Sequence, residues 1–238
     1  MKRSLMVLAL TAGTVFAAMA PCPAFGQETL EEVTVTGFRQ NMEAAPHVFL
    51  LRRVDHLITK VRVVCDTREP AKRRQELKGT LKSMIREAGK TGTISLGVGD
   101  EIVADLTERM LDKVIEPDAK ADTSVAVVII KTRVSKDDMF DDATGRIEHF
   151  IETTPKVGRT ELLRDKDWEL TIVGPEQYRA QIVAKIADDA KKTAALFGPD
   201  YSVRIGGLQN RVSWSQKGPL DLALYIQYDM AIAPRDAK

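Results

Sequence analysis

Three histidines, His47, His56 and His149, and two cysteines, Cys22 and Cys65, are the side chains best suited to metal binding or nucleophilic attack. Their spacing supports neither. No two of them stand in an H-E-x-x-H or C-x-x-C relationship, the patterns that bring zinc ligands to one helix face or one turn. No G-x-S-x-G nucleophile elbow is present. Gly97-Val98-Gly99 opens like a nucleotide loop, but it lacks the third glycine and no strongly amphipathic helix follows. A turn between strands is the expectation there.

Carboxylate pairs occur at Asp137/Asp138, Asp141/Asp142 and Asp188/Asp189. The first two crowd the start of a predicted helix, where capping and the helix dipole favour acidic residues. The third alternates with lysines, as a solvated helix face does. A calcium loop needs ligands at fixed alternate positions with a central glycine and a distal glutamate, and that spacing is missing. The expectation is a protein that is not an enzyme, with no cofactor and no metal site.

Export is the strongest signal in the chain. Lys2 and Arg3 precede an uncharged apolar run over residues 5–20, and the small residues Ala24 and Gly26 suit a cleavage site. Residues 1–26 therefore read as a cleavable signal peptide. The apolar run falls short of the roughly 20 residues that a spanning helix needs. No transmembrane segment is expected after cleavage, and the expected location is the periplasm. Loss of Lys2 and Arg3 leaves 35 − 2 = 33 basic residues against 34 acidic ones. Such balance argues against a nucleic-acid surface. Cleavage also removes Cys22, so Cys65 has no disulfide partner and is expected to be a small buried hydrophobe.

The remainder divides into residues 27–56, an N-terminal strand with a connecting segment, and an α+β domain over residues 57–234. Residues 57–65 are rich in β-branched types and predict a strand. Asp66 and Thr67 offer N-caps, Pro70 suits a first turn, and Leu77, Leu81, Met84, Ile85 and Ala88 recur at helical spacing up to Gly89, read as the C-terminal glycine. Strand character returns over 93–98 and 101–106. Residues 124–134 predict a strand buried on both faces along 125–130. Ser135 is read as the cap of a helix whose stripe runs through Met139, Phe140, Ala143, Ile147, Phe150 and Ile151. Strands are predicted over 157–164 and 167–173, and the longest helix over 176–197, with Tyr178, Ile182, Ile186, Ala190 and Ala194 on one face. Strands at 201–205, 211–214 and 220–232 complete the chain. Three main helices are too few for a doubly wound parallel sheet, so an α+β fold with mainly antiparallel sheets is expected.

The segment "ETLEEVTVTGFR" contains Glu32, Val33, Thr34, Val35, Thr36 and Gly37. It is similar to the TonB box of TonB-dependent outer-membrane receptors, an extended peptide that adds to a strand edge of the energy-coupling protein. Membrane barrels take strands of about 9–11 residues each, and this chain is too short for such a receptor. Two readings follow: a partner-binding peptide for a TonB-like envelope protein, or the first strand of the domain.

The order of elements also resembles the SIMPL family of periplasmic proteins. The resemblance rests on the Val33-Thr34-Val35-Thr36-Gly37 strand with Pro46 beyond it, the strand at Val61–Val64, and the helix closing at Ala88-Gly89. It continues through the central strand of residues 125–134 and the helix of 136–151. The long helix with Ala180, Ala184, Ala187, Ala190, Ala194 and Gly198 follows, and then the alternating strand Leu222, Leu224, Ile226, Tyr228 and Met230. This chain departs from the family in a longer segment over residues 44–56, carrying Arg52 and Arg53, and in the "DTREP" entry to its first helix. The resemblance implies an α+β fold, a homo-oligomer, and a part in cell-envelope or oxidative-stress homeostasis. It carries over no catalytic residue. A third function, small-ligand binding in a cleft, would draw on Trp168, Trp214, Tyr178 and Tyr201, although each also suits a core position.

Overall fold

The computed structural model describes residues 33–34, 46–99 and 102–235. The signal peptide expected over residues 1–26 lies outside them. In chain order the first strands are β1 (Val33–Thr34), β2 (Leu50–Arg53), β3 (His56–Cys65), β4 (Ile94–Val98), β5 (Ile102–Asp105), β6 (Glu116–Pro117) and β7 (Ser124–Arg133). The later ones are β8 (Thr160–Arg164), β9 (Glu169–Thr171), β10 (Tyr201–Gly206), β11 (Val212–Gln216), β12 (Asp221–Ile226) and β13 (Asp229–Pro234). The long helices are α1 (Pro70–Thr91), α3 (Phe140–Thr153) and α4 (Arg179–Phe197), with a single turn, α2 (Leu111–Val114), between the first two. Every strand pairing described is antiparallel, and the fold is α+β.

β3 and β7 are the spine. They pair along their full lengths, from His56 opposite Arg133 to Cys65 opposite Ser124. Both are dense in valine and isoleucine, whose branched side chains suit a pleated, half-buried surface. β4, β5 and β1 extend the sheet beyond β7, and β8 and β9 lie end to end along the other side of β3. Val61, Val63 and Cys65 of β3 and Ala126, Val128 and Ile130 of β7 meet Leu77, Leu81, Met84 and Ala88 of α1 and Ile147 and Phe150 of α3 in one core. Side chains at alternate strand positions point to one face. The opposite face is mixed: Ile58, Val103 and Ile129 cluster there, whereas Val127 is 46% exposed. Burial on both faces thus begins at Ile129 rather than covering residues 125–130 as expected.

A second core lies under α4, whose Ile182 and Ile186 pack with Leu222, Leu224 and Ile226 of β12, and with Leu57 and Ile172. β12 is the middle strand of a three-stranded sheet between β11 and β2. Among the described residues, β10 and β13 pair only with each other and form a separate two-stranded ribbon.

Several local expectations are corrected. α1 ends at Thr91, not at Gly89, because Gly92 takes the left-handed φ of 64° and its N–H reaches the carbonyl of Ala88. Asp66 and Thr67 do not cap α1, since Glu69 occupies that position and both side chains are engaged elsewhere. Ser135 starts a tight turn before α3, in which its N–H reaches the Asp138 carboxylate. Met139 takes the cap position, its N–H bonds to Asp142, and its side chain is 73% exposed rather than part of the stripe. α1, not α4, is the longest helix, because residues 175–178 form a 3-10 turn after Gly174-Pro175. The predicted strand over 220–232 is two strands in two different sheets. Gly207 packs against the backbone of Gln227 and Tyr228, and Asn210 bonds the Gln227 carbonyl, so the chain turns there.

Candidate functional site

The corner between β3 and α1 gathers the buried polar side chains of Thr67, Glu76 and Thr160. Glu76, one turn and a half into α1, is 7% exposed and points back at the end of β3. Its Oε2 accepts hydrogen bonds from Thr67 Oγ1 at 2.5 Å, Cys65 Sγ at 3.3 Å and the backbone N–H of Arg159 at 3.2 Å. The Thr67 hydroxyl first, and the Arg159 N–H next, hold its carboxyl below the usual carboxylate range. A buried carboxylate survives only with such donors. Cys65 is buried and free, as expected, but it is a thiol donor to a carboxylate rather than a purely apolar residue. Thr160, opposite Cys65 in the β3–β8 register, is 4% exposed with an unpartnered hydroxyl.

In front of this cluster opens a polar cleft of about 420 Å³, lined by Asp66, Thr67, Arg68, Lys120, Ala121, Asp122, Thr123 and Arg159. Three walls form it: the β3–α1 corner, the 118–123 turn before β7, and the turn before β8. Arg73 ties the first two together. Its Nη1 donates to the carbonyls of Thr67 at 2.7 Å, Asp122 at 2.9 Å and Arg68 at 3.3 Å, and its Nε to Ser124 Oγ at 3.0 Å. Arg159 ties the third wall to the first through a bidentate pair with Asp66 at 2.6 and 2.8 Å. The Arg159 guanidinium holds the Asp66 carboxyl below its ordinary value, and Lys120 adds to the effect. Asp122 is the only non-glycine residue with positive φ, 53°, among the described residues. Aspartate tolerates that region better than most residues, and the turn makes Asp122 part of the cleft lining.

The aromatic residues considered for ligand binding do not meet here. Trp168 sits between the two cores, edge-on to Phe140 and beneath the Arg164 guanidinium. Trp214 and Tyr178 pack on the second core, and Tyr201 stacks at a tilt with Phe197 at the surface. The acidic pairs are engaged structurally: Asp138 with Arg146, Asp142 with the α3 cap, Asp188 with Lys192, and Asp189 with His47 at 3.1 Å. Among the described residues, no group of three or more His, Cys, Asp and Glu side chains converges as a metal site. No helix of the described residues is long and apolar enough to cross a membrane.

Of the six residues proposed for partner binding, the structure describes the backbone of Val33 and Thr34, which pair with Val103 and Ile102 at the outer edge of the main sheet. Glu32, Val35, Thr36 and Gly37 lie outside the described residues. Sequence reasoning missed the cleft. Its residues are ordinary surface types, and the one local hint was an Asp-Thr pair next to a basic residue at 66–68. No family model matches the chain, and no curated protein is similar to it.

Proposed function

We propose that this chain is a non-enzymatic periplasmic protein of SIMPL-like build that assembles with copies of itself in the cell envelope and serves envelope or stress homeostasis. The export pattern of residues 1–26 supports the location. One structural observation carries the assembly: the β10–β13 ribbon pairs with no other described strand, so each of its strands offers an open edge. Beside it, Leu196 is 84% exposed, Phe197 52% and Tyr201 39%. Open edges and clustered exposed apolar side chains are the surfaces that natural proteins normally cover. Size-exclusion chromatography with light scattering tests the reading. An oligomer that Leu196→Lys/Phe197→Asp converts to monomer, with no change in melting temperature, supports it. A monomer at every concentration overturns it.

A second reading keeps residues 28–38 as a peptide for a TonB-like partner. It is favoured by the position of β1, which is outermost in its sheet among the described strands. Deleting 28–38 should abolish binding to a TonB C-terminal domain while leaving the melting temperature in place. Unfolding on deletion, or unchanged binding, rejects it.

A further inference from the structure

The cleft between the β3–α1 corner and the 118–123 turn differs from an ordinary surface hollow in how it is held. Arg73, Glu76 and the Asp66–Arg159 pair each join two of its walls. The β3–α1 corner, the turn near 122 and the turn before β8 are thus braced before anything binds. A preformed site avoids the ordering cost that weakens recognition by mobile loops. Its volume of about 420 Å³ falls in the range of small-molecule sites.

The charges inside it divide into engaged and unengaged groups. Asp66 and Arg159 neutralise each other. Among the described residues, no hydrogen bond or ion pair reaches the Arg68 guanidinium, the Lys120 ammonium or the Asp122 carboxylate, though all three residues line the cleft and are exposed. Lys120 acts on Asp66 only at a distance. The unengaged set is therefore two cations and one anion. The cations suit a carboxylate, with Arg68 able to present a planar fork to both oxygens. Asp122, a residue of the cleft lining whose left-handed backbone is tied by the Arg73 bond to its carbonyl, suits an ammonium. Thr67 and Thr123, both nine-tenths buried, form the uncharged floor.

We propose that this cleft binds a small zwitterion, a molecule carrying a carboxylate and an ammonium group a few bonds apart, such as a free amino acid. The carboxylate lies against Arg68 and Lys120, and the ammonium against Asp122. Assembly through the β10–β13 ribbon is a separate matter, since no ribbon residue lines the cleft.

Amide NMR spectra of the 15N-labelled protein, titrated with glycine, L-lysine and L-glutamate, test the proposal. Acetate and ethylammonium at matched ionic strength serve as single-charge controls. Saturable shifts are expected at residues 66–68, 118–124 and 159, with the zwitterions binding at least about tenfold more tightly than either control. Arg68→Ala and Lys120→Ala should each weaken binding by about fivefold or more. Asp122→Asn, which keeps tolerance of the left-handed backbone, should remove the preference for zwitterions over acetate. Shifts that never saturate, or that match those of the controls, overturn the proposal. So does binding that is unchanged in Arg68→Ala and Lys120→Ala, both of which alter only exposed side chains and leave the bracing intact.

Discussion

Gly158 makes room for Glu76: a Cβ at Gly158 would stand 2.1 Å from the Glu76 carboxyl carbon, and the glycine also holds a left-handed φ of 61°. The turn before β8 can therefore close over the carboxylate, and that closure brings the Arg159 N–H onto Oε2. Two constraints meet at one position. Substitution must relieve a steric overlap and also adopt a backbone region that L-residues rarely occupy. Gly158→Ala is expected to destabilise the fold by about 2–4 kcal/mol. Urea denaturation of the two proteins measures this, and a loss below about 0.5 kcal/mol would show that the turn yields freely.

Acid should loosen the same corner. The folded carboxyls of Glu76 and Asp66 are lowered from ordinary values of 4.5 and 3.8 by Thr67 and Arg159, respectively. In that window the unfolded chain binds more protons than the folded one, so stability rises with pH. Their contribution is complete above about pH 4.5 and is lost as pH falls through the lower folded values. Melting temperatures between pH 7 and pH 3 should fall for the native chain. The slope below pH 4.5 should be shallower in Glu76→Gln. An equal slope in both would remove Glu76 from the acid response.

Cys65, 1% exposed and bonded to Glu76, should resist thiol reagents in the folded protein. Burial restricts the access of a reagent to the sulfur. Labelling should follow the rate or extent of unfolding as urea is raised. Rapid labelling without denaturant would mean that the corner opens on its own.

The second core should depend on α4 as strongly as on the sheet beneath it. Ile186 is fully buried against β12. Ile186→Ala is expected to cost roughly 2–5 kcal/mol, because the cavity adds to the lost apolar burial. Leu196→Ala, one helix face away and 84% exposed, should change the melting temperature little. Thermal unfolding of both variants checks the contrast.

The elements that were legible in sequence are those whose signals are local. Val61 and Val63 of β3 and Val128 and Ile130 of β7 announce buried strands by composition and alternation. Leu77, Leu81, Met84 and Ala88 announce a helix face by their spacing. The α+β class followed from the number and order of such elements. Errors arose at boundaries where a neighbour supplies the deciding contact. Gly89 and Gly92 are equally able to end α1, and the chain chose the one whose N–H meets Ala88. Residues 220–232 alternate throughout, but Asn210 and Gly207 break them at Gln227.

By itself the sequence determined strand and helix runs whose periods define their buried faces, and it predicted an export signal whose removal would leave Cys65 without a cysteine partner. Only the tertiary structure decided the site. Arg73 reaches partners 6, 49 and 51 residues away, and Glu76 meets Arg159 across 83 residues. Periodicity records what a residue does with its near neighbours along one element. A cleft assembled from three turns depends instead on how the sheet's register brings distant segments together. No repeat in the chain encodes that juxtaposition.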